Sequence, residues 1–411
     1  MIEIPIEYAC PGDSLGRNQS FKKFDGGMSS TVDLMKGYKL TGRVLEKLKQ
    51  EYKVRALYIQ DSLGQADLEA EEGFDETTRQ HIVDMFHENV SEIHSSKIID
   101  MHELEKIVHD IMDNVSTAIK SGSGCFKTLS RAFHEVQSHD SYTWEHSVNS
   151  AIYAAIIGLS VPAAIEKTKK HPFPASFNSL EILIFNMLLH DVGKIRVPLE
   201  VLNKRDSFSE KDYEIIMKHP YSGLVYMRKI NQQLLSKNMT QIPSYFMKAC
   251  LLHHQAYDGS GYPALRISGW KDIRPLKGNE ISPVGRVAAV ADMFDALSSN
   301  RPYRLPLHPA DALKLVKSER GIKLDPAVAD ILLKRISPFP IGSTVILSTG
   351  ELAAVTGHVG ENTFCPIVRP YLRKIKRDGK EQIIRLQNRK PIGITPSSKV
   401  RIVINKDLYQ T

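Results

Sequence analysis

Cysteine is scarce: Cys10, Cys125, Cys250 and Cys365 are the four in 411 residues, and no two of them form a CxxC pair. That spacing excludes a thiolate zinc site and a disulfide framework. Long apolar runs are missing as well. None reaches the roughly 18 residues of a membrane span, and the opening MIEIPIEYACPGD lacks the basic-then-apolar pattern of a secretion signal. The expectation is a cytoplasmic protein. Neither a repeat nor a low-complexity tract is present, which excludes fibrous and disordered classes. With 42% hydrophobic and 25% charged residues, the chain has the composition of a folded globular protein, and its length suits two or three units.

The formal charge of +7 is unevenly placed. From position 341 onward there are twelve Lys and Arg against five Asp and Glu, which accounts for the whole excess. No aromatic stacking pattern or RNA-binding signature accompanies this basic tail, so it reads as a solvated face, and a nucleic-acid partner is not expected.

The character of the chain changes three times. Residues 1–70 alternate turn signals with short apolar segments; a helix over Thr41–Glu51 and a strand over Val54–Ile59 suggest a small α/β module. Residues 71–124 hold amphipathic connecting helices. In the second, Leu104, Ile107, Val108, Ile111, Met112, Val115 and Ile119 recur at spacings of three and four, the stripe of an intramolecular core face, before the linker-like SGSG at 121–124. Residues 125–338 are dominantly helical. Asn178 and Ser179 cap a helix through His190, Ser207 and Glu210 form a capping box for one ending at His219, another spans Ser244–His254, and Pro283 and Asp325–Pro326 begin two more. Residues 339–411 show β-branched alternation broken by glycine turns, an antiparallel β extension.

Several polar groups interrupt this helical region where packing alone would not put them. His190 and Asp191 follow the apolar FNMLL, His219 precedes Pro220, His253 and His254 close the run ending LL, and Asp292 breaks VAAVADMF. Taken singly, each histidine is well explained as a core residue satisfied by a backbone carbonyl or a helix C-terminus. Taken together they are not, because a buried carboxylate needs a cationic partner and several imidazoles in one layer compete for acceptors. A metal centre resolves the conflict. Imidazole and carboxylate suit iron, manganese, zinc, cobalt or nickel, and a shared carboxylate can bridge two ions, the arrangement used for phosphoester hydrolysis. Lys194, four residues after His190, is a candidate cation for a phosphate oxygen.

HDVGK at 190–194, HH at 253–254, DGSGYP at 258–263, and ADMFDAL at 291–297 with RPYR at 301–304 together resemble the HD-GYP family, cyclic di-GMP phosphodiesterases within the HD phosphohydrolase superfamily. The resemblance covers about residues 126–337. It implies a mainly α fold: a helical HD-type catalytic bundle over 125–338, flanked by a small N-terminal α/β regulatory module and the C-terminal antiparallel β extension, which would pack on the catalytic domain. It adds His146, in WEHSVNSA, to a metal set of His146, His190, Asp191, His219, His253, His254 and Asp292, with Asp191 as the bridge. It gives Asp191 and Lys194 the catalytic roles, and places Lys194, Arg286, Arg301 and Arg304 near the dinucleotide with Gly261, Tyr262 and Pro263 as a bordering loop.

The activity implied is metal-dependent hydrolysis of cyclic di-GMP to linear pGpG, and on to GMP, by a hydroxide bridging two divalent ions, Fe or Mn being the expected pair. The alternative is a catalytically weak module that senses a cyclic dinucleotide or a partner protein. The GYP loop and the N-terminal module are the surfaces where a protein partner or a second copy, as a homodimer, would dock. Two departures stand out. Tyr142 occupies the place where some members carry a third-metal glutamate, which favours a dinuclear centre. The family's HHE reads His253, His254, Gln255 here, putting a neutral amide in place of a charged acceptor near the ligands.

Overall fold

The structure, a computed structural model, describes residues 2–16, 18–25, 28–52, 54, 56–60, 76–91, 100–120, 139–160, 179–202, 204, 207–236, 247–266, 273–299, 307–339, 341, 343–360, 362–377, 380–386 and 390–403. Two compact units emerge. One gathers 1–72 with 337–411, the other 73–124 with 128–336.

In the first unit, β1 (Ile2–Pro5) pairs antiparallel with β4 (Ala56–Ile59), and β2 (Gln19–Asp25) with β3 (Met28–Leu34). Helix α1 (Gly42–Gln50) starts where the Thr41 hydroxyl accepts from the Val44 N–H, a cap that contributes about 1 kcal/mol. It buries Leu45 and Leu48. The C-terminal strands are β7 (Thr344–Leu347), β8 (Glu351–Val359), β9 (Asn362–Arg377), β10 (Lys380–Arg385), β11 (Ile392–Gly393) and β12 (Ile402–Val403). They form an antiparallel sheet in the order β10-β9-β8-β7-β12, with β11 also on β9. Leu352, Ala354, Tyr371 and Leu372 of this sheet lie in one buried cluster with Leu15, Leu45, Leu48 and Leu57. The β tail, expected against the catalytic domain, thus shares its core with the N-terminal module.

The second unit is helical. Helices α2 (Glu76–Ser91) and α3 (Met101–Lys120) pack on one another, and Leu104, Ile107, Val108, Ile111 and Val115 of the α3 stripe are buried inside this unit. The SGSG segment lies outside the described residues. Helix α4 (His139–Gly158) is buried all round from Val148 to Ile157, so it runs through the centre of the unit, against α5 (Ser179–Leu188) and α10 (Pro283–Ser298). Between them come α6 (Leu199–Leu202), α7 (Glu210–Ile216), α8 (His219–Ser236), α9 (Lys248–Leu252) and a short hairpin of β5 (Leu265–Arg266) with β6 (Ile273–Arg274). Helices α11 (Pro309–Ser318) and α12 (Pro326–Arg335) follow.

Proline places two of these helix starts as the sequence suggests, with Ser282 capping α10 and Asp325 capping α12; α11, capped by His308, also has Pro in its first turn. Some boundaries differ: α5 stops at Leu188 and α9 at Leu252, each two residues before the histidine expected to end it, and α7 starts elsewhere. The capping box uses Ser209 and Asp212, not Ser207 and Glu210; α7 then stops at Ile216, and His219 opens α8. Ser209 wins because its hydroxyl reaches the Asp212 N–H while the Asp212 carboxylate returns to the Ser209 N–H. Among the described residues, no helix is long and apolar enough to cross a membrane.

Candidate metal centre

Three of the imidazoles that converge here are oriented in the same way. His190 Nδ1 donates to Met187 O at 2.6 Å, His219 Nδ1 to Ile216 O at 2.6 Å and His253 Nδ1 to Ala249 O at 2.7 Å. A carbonyl only accepts, so each Nδ1 carries the proton and each Nε2 keeps a lone pair facing inward. His146 is held by a carboxylate instead, with Nδ1 2.7 Å from Asp295 Oδ2.

The surrounding elements are locked so that these rings meet. Asn186 of α5 accepts from the Ala249 N–H of α9 at 3.0 Å, and Cys250 donates to Leu189 O at 3.0 Å, which ties the His190 turn to the His253 helix. Burial pushes the Cys250 thiol up to about 12, so it stays a thiol and not a ligand. At Gly193 a Cβ would stand 2.0 Å from His219 O and 2.5 Å from Gly223 N. Only glycine lets the turn after Asp191 lie directly on the start of α8.

Asp191 sits between two groups of rings. Its Oδ1 is 3.3 Å from His219 Nε2 and 3.7 Å from His253 Nε2; its Oδ2 is 3.5 Å from both His146 Nε2 and His190 Nε2. Asp292 Oδ1 is 3.0 Å from His146 Nε2 and 3.9 Å from His190 Nε2, and Asp292 Oδ2 is 4.0 Å from His254 Nδ1. Ligand atoms within 4.8 Å of one another form three groups among the described residues: His219, His253 and His254; His146, His190 and Asp292; and His190, Asp191 and His253.

Protonation states match a cation site. Burial lowers the pKa of His190, places that of His253 well below its ordinary value and brings His254 down to about 3, so these rings are neutral. For both carboxylates burial opposes ionisation but is overcome, at Asp191 by Lys194, His190 and His219, and at Asp292 by the His146 hydrogen bond; both lie well below the usual carboxylate range. His146 is the exception: burial lowers its pKa, but Asp292 and Asp295 outweigh it and raise it to about 9.

Whether this donor set fits a metal can be tested on the molecule itself. His219 Nε2 and His253 Nε2 face each other at 3.0 Å, and with both Nδ1 atoms protonated these are two lone pairs. His190 Nε2 and Asp191 Oδ1 are buried without a hydrogen bond among the described residues. Inward lone pairs next to ionised carboxylates are costly unless a cation lies among them. The set fits divalent ions of the imidazole and carboxylate class.

Around the centre, Lys194 donates to Asp191 Oδ2. The Tyr262 ring stacks on His254 with centroids 4.6 Å apart at 24°, and the Tyr262 N–H donates to His254 O. Gly261 has no room for a Cβ, which would meet Ala256 N at 2.2 Å, and Pro263 completes the loop. Arg286 is buried in α10, its Nη1 donating to Asp325 Oδ2 at 2.6 Å and to Asn279 Oδ1 at 3.4 Å, both groups of the protein itself. Arg301, Arg304 and the Tyr142 side chain lie outside the described residues. Asp295 was missed by sequence reasoning, although it stands three residues after Asp292 on the same helix face.

Residues 178–328 match the family model described as the HD domain. The chain is 27% identical over 262 residues to a cyclic di-GMP phosphodiesterase of Pseudomonas aeruginosa, covering 64% of this chain and 55% of that protein. It is 35% identical over 156 residues to a cyclic di-GMP phosphodiesterase response regulator of Xanthomonas campestris, covering 38% and 36% respectively. Over 151 residues it is 28% identical to a 3′3′-cGAMP-specific phosphodiesterase of Vibrio cholerae, covering 37% and 26%. The chain therefore spans about half, or less, of the length of these relatives. HD-domain phosphohydrolases are metal-dependent, in keeping with the donor set described above. The five motifs all fall inside the matched segment, and it is there that the chain is similar to the HD domain and to cyclic dinucleotide phosphodiesterases.

Proposed function

We propose that the chain is a metal-dependent phosphodiesterase of cyclic dinucleotides, with cyclic di-GMP the substrate, linear pGpG the first product and GMP the product of a second cut. The observation that carries this reading is Asp191, whose two carboxylate oxygens each face a different histidine group. His146, His190 and Asp292 would hold one divalent ion, and His219, His253 and His254 the other, with Asp191 between them; Fe or Mn suits the donors. Such a pair supplies Lewis acidity at the phosphate and a water acidified toward neutral pH.

The chain's own residues do the rest. Lys194, partly exposed beside Asp191, is positioned to pair with a non-bridging phosphate oxygen as charge develops there. Asp295 keeps the His146 proton on Nδ1, which leaves Nε2 as the donor. The stacked Tyr262 walls the side of His254, the most exposed of the five rings. The relatives' names include both cyclic di-GMP and 3′3′-cGAMP, so base choice is a matter of the pocket and not of the metals. The same reading places the protein in the cytoplasm and the docking of a second copy or another protein at the GYP loop or N-terminal module.

The test uses full chain purified without oxygen, loaded with Fe or Mn, and given cyclic di-GMP and 3′3′-cGAMP in parallel, with products separated by chromatography. Wild type should linearise cyclic di-GMP, and Asp191→Ala should lose both metal and turnover. Binding of cyclic di-GMP without cleavage under either metal would replace the enzyme with a sensor.

A further inference from the structure

Gln255 follows the two histidines directly and is buried at 2% exposure, and its amide hydrogen-bonds backbone groups elsewhere. Its Nε2 donates to Pro263 O at 2.7 Å, and its Oε1 accepts from the Leu276 N–H at 2.6 Å. The partners leave no ambiguity about the amide's orientation, since a flip would set oxygen against the carbonyl and NH2 against the N–H. One side chain thus joins three segments: the end of the His253–His254 helix, the Gly261–Pro263 loop, and the stretch between β6 and α10. The loop has further ties to that helix end. Tyr262 donates its N–H to His254 O at 3.0 Å, and Gly261 lies flat against the backbone of His254 and Ala256. On the far side the Gly278 N–H reaches Tyr257 O at 2.7 Å, and Arg274 grips Glu280 through two hydrogen bonds of 2.8 and 2.9 Å.

We propose that Gln255 is a positioning residue that latches the Gly261–Pro263 loop over His254 and so sets the affinity for the cyclic dinucleotide without entering the metal set. No ionised carboxylate can do this. It would accept from Leu276 but present a second acceptor to Pro263 O, leaving two oxygens in contact and a buried carbonyl unsatisfied. An aliphatic side chain loses both bonds. The neutral amide, which at first looks like a weakened ligand shell, gives the loop a donor and the segment after β6 an acceptor at any pH, whereas a glutamate of the same length could do so only while protonated. It holds Tyr262 in its stack on His254, the face of the centre open to substrate.

The part concerning affinity rests on the phosphodiesterase reading; the latch itself does not, and the experiment separates them. Metal-loaded full chain is prepared as wild type, Gln255→Glu and Gln255→Ala, and followed by metal analysis, hydrogen exchange with mass spectrometry, and steady-state kinetics on cyclic di-GMP. In Gln255→Glu, followed across a pH series, peptides covering 256–266 should exchange faster than in wild type once the carboxyl ionises while those covering Leu276 keep wild-type protection; in Gln255→Ala both should exchange faster at every pH. Metal content should match wild type. KM should rise about tenfold, the effect of one lost buried hydrogen bond, while kcat stays within about threefold. Unchanged exchange near Tyr262, or loss of metal with a collapse in kcat, overturns the proposal. Should Gln255→Ala fail to fold, Gln255→Glu decides alone. If wild type cleaves no cyclic dinucleotide, the phosphodiesterase reading falls and the exchange pattern still decides the latch.

Discussion

His146 shows how far the chemistry of one residue is set by its neighbours. Asp295 fixes its proton on Nδ1, and Asp292 holds a second proton on Nε2, so in metal-free protein the ring stays cationic up to about pH 9. Its folded pKa lies above the ordinary 6.5, so this contribution to stability is complete below pH 6.5 and is lost as pH rises through 9. A metal must displace that proton. Uptake at pH 7 to 8 should release about one proton from this ring, and apparent affinity should rise about tenfold per pH unit up to about pH 9, as read by calorimetry in buffers of different ionisation enthalpy. Asp295→Asn keeps the shape but allows the wrong tautomer; metal affinity should fall about 10- to 100-fold, measured by chelator competition. These residues were unequally legible in the sequence. His190, Asp191, His219, His253, His254 and Asp292 betray themselves by ending or interrupting apolar runs. His146 does not, because it sits near the start of a helix and only the family resemblance picked it out. Asp295 was hidden by its likeness to an ordinary helix carboxylate.

At the scale of elements, the decisive join is the turn after Asp191 against the start of α8. Gly193→Ala would drive a methyl group into His219 O and force the two backbones apart. We expect a loss of about 1–3 kcal/mol in stability by chemical denaturation and a measurable drop in bound metal, with the His219, His253 and His254 group affected first. Ser209→Ala, which removes the cap at the opposite end of α7 from the Ile216 carbonyl that holds His219, should cost only about 1 kcal/mol and leave metal content unchanged. The break between α7 and α8 was not legible because two serines compete for one cap, and pattern alone does not say which hydroxyl reaches an amide. Proline positions were easier: Pro283 and Pro326 favour a first turn, and each stands in one.

At the scale of the molecule, the chain's two ends belong together. Leu15, Leu48 and Leu57 share buried surroundings with Leu352 and Tyr371, which no local pattern could announce because the two segments lie some three hundred residues apart. A fragment of residues 1–72 should therefore lack a cooperative thermal transition, and adding a fragment of 337–411 should restore one, measured by circular dichroism. Without this complementation the shared core contributes nothing that either end needs.

The facing Nε2 atoms of His219 and His253 have a consequence for the life of the protein in a cell. A chain that folds two lone pairs against each other carries a standing cost that a cation removes, so the folded population is coupled to the free ion concentration. At a hundredfold excess over its dissociation constant, one ion adds about 2.7 kcal/mol to stability. Chelation should lower the melting temperature of the holoprotein, and re-addition of the ion should restore it. Under metal starvation, quality control would meet more of the unfolded form, and the amount of protein present would itself report on metal supply.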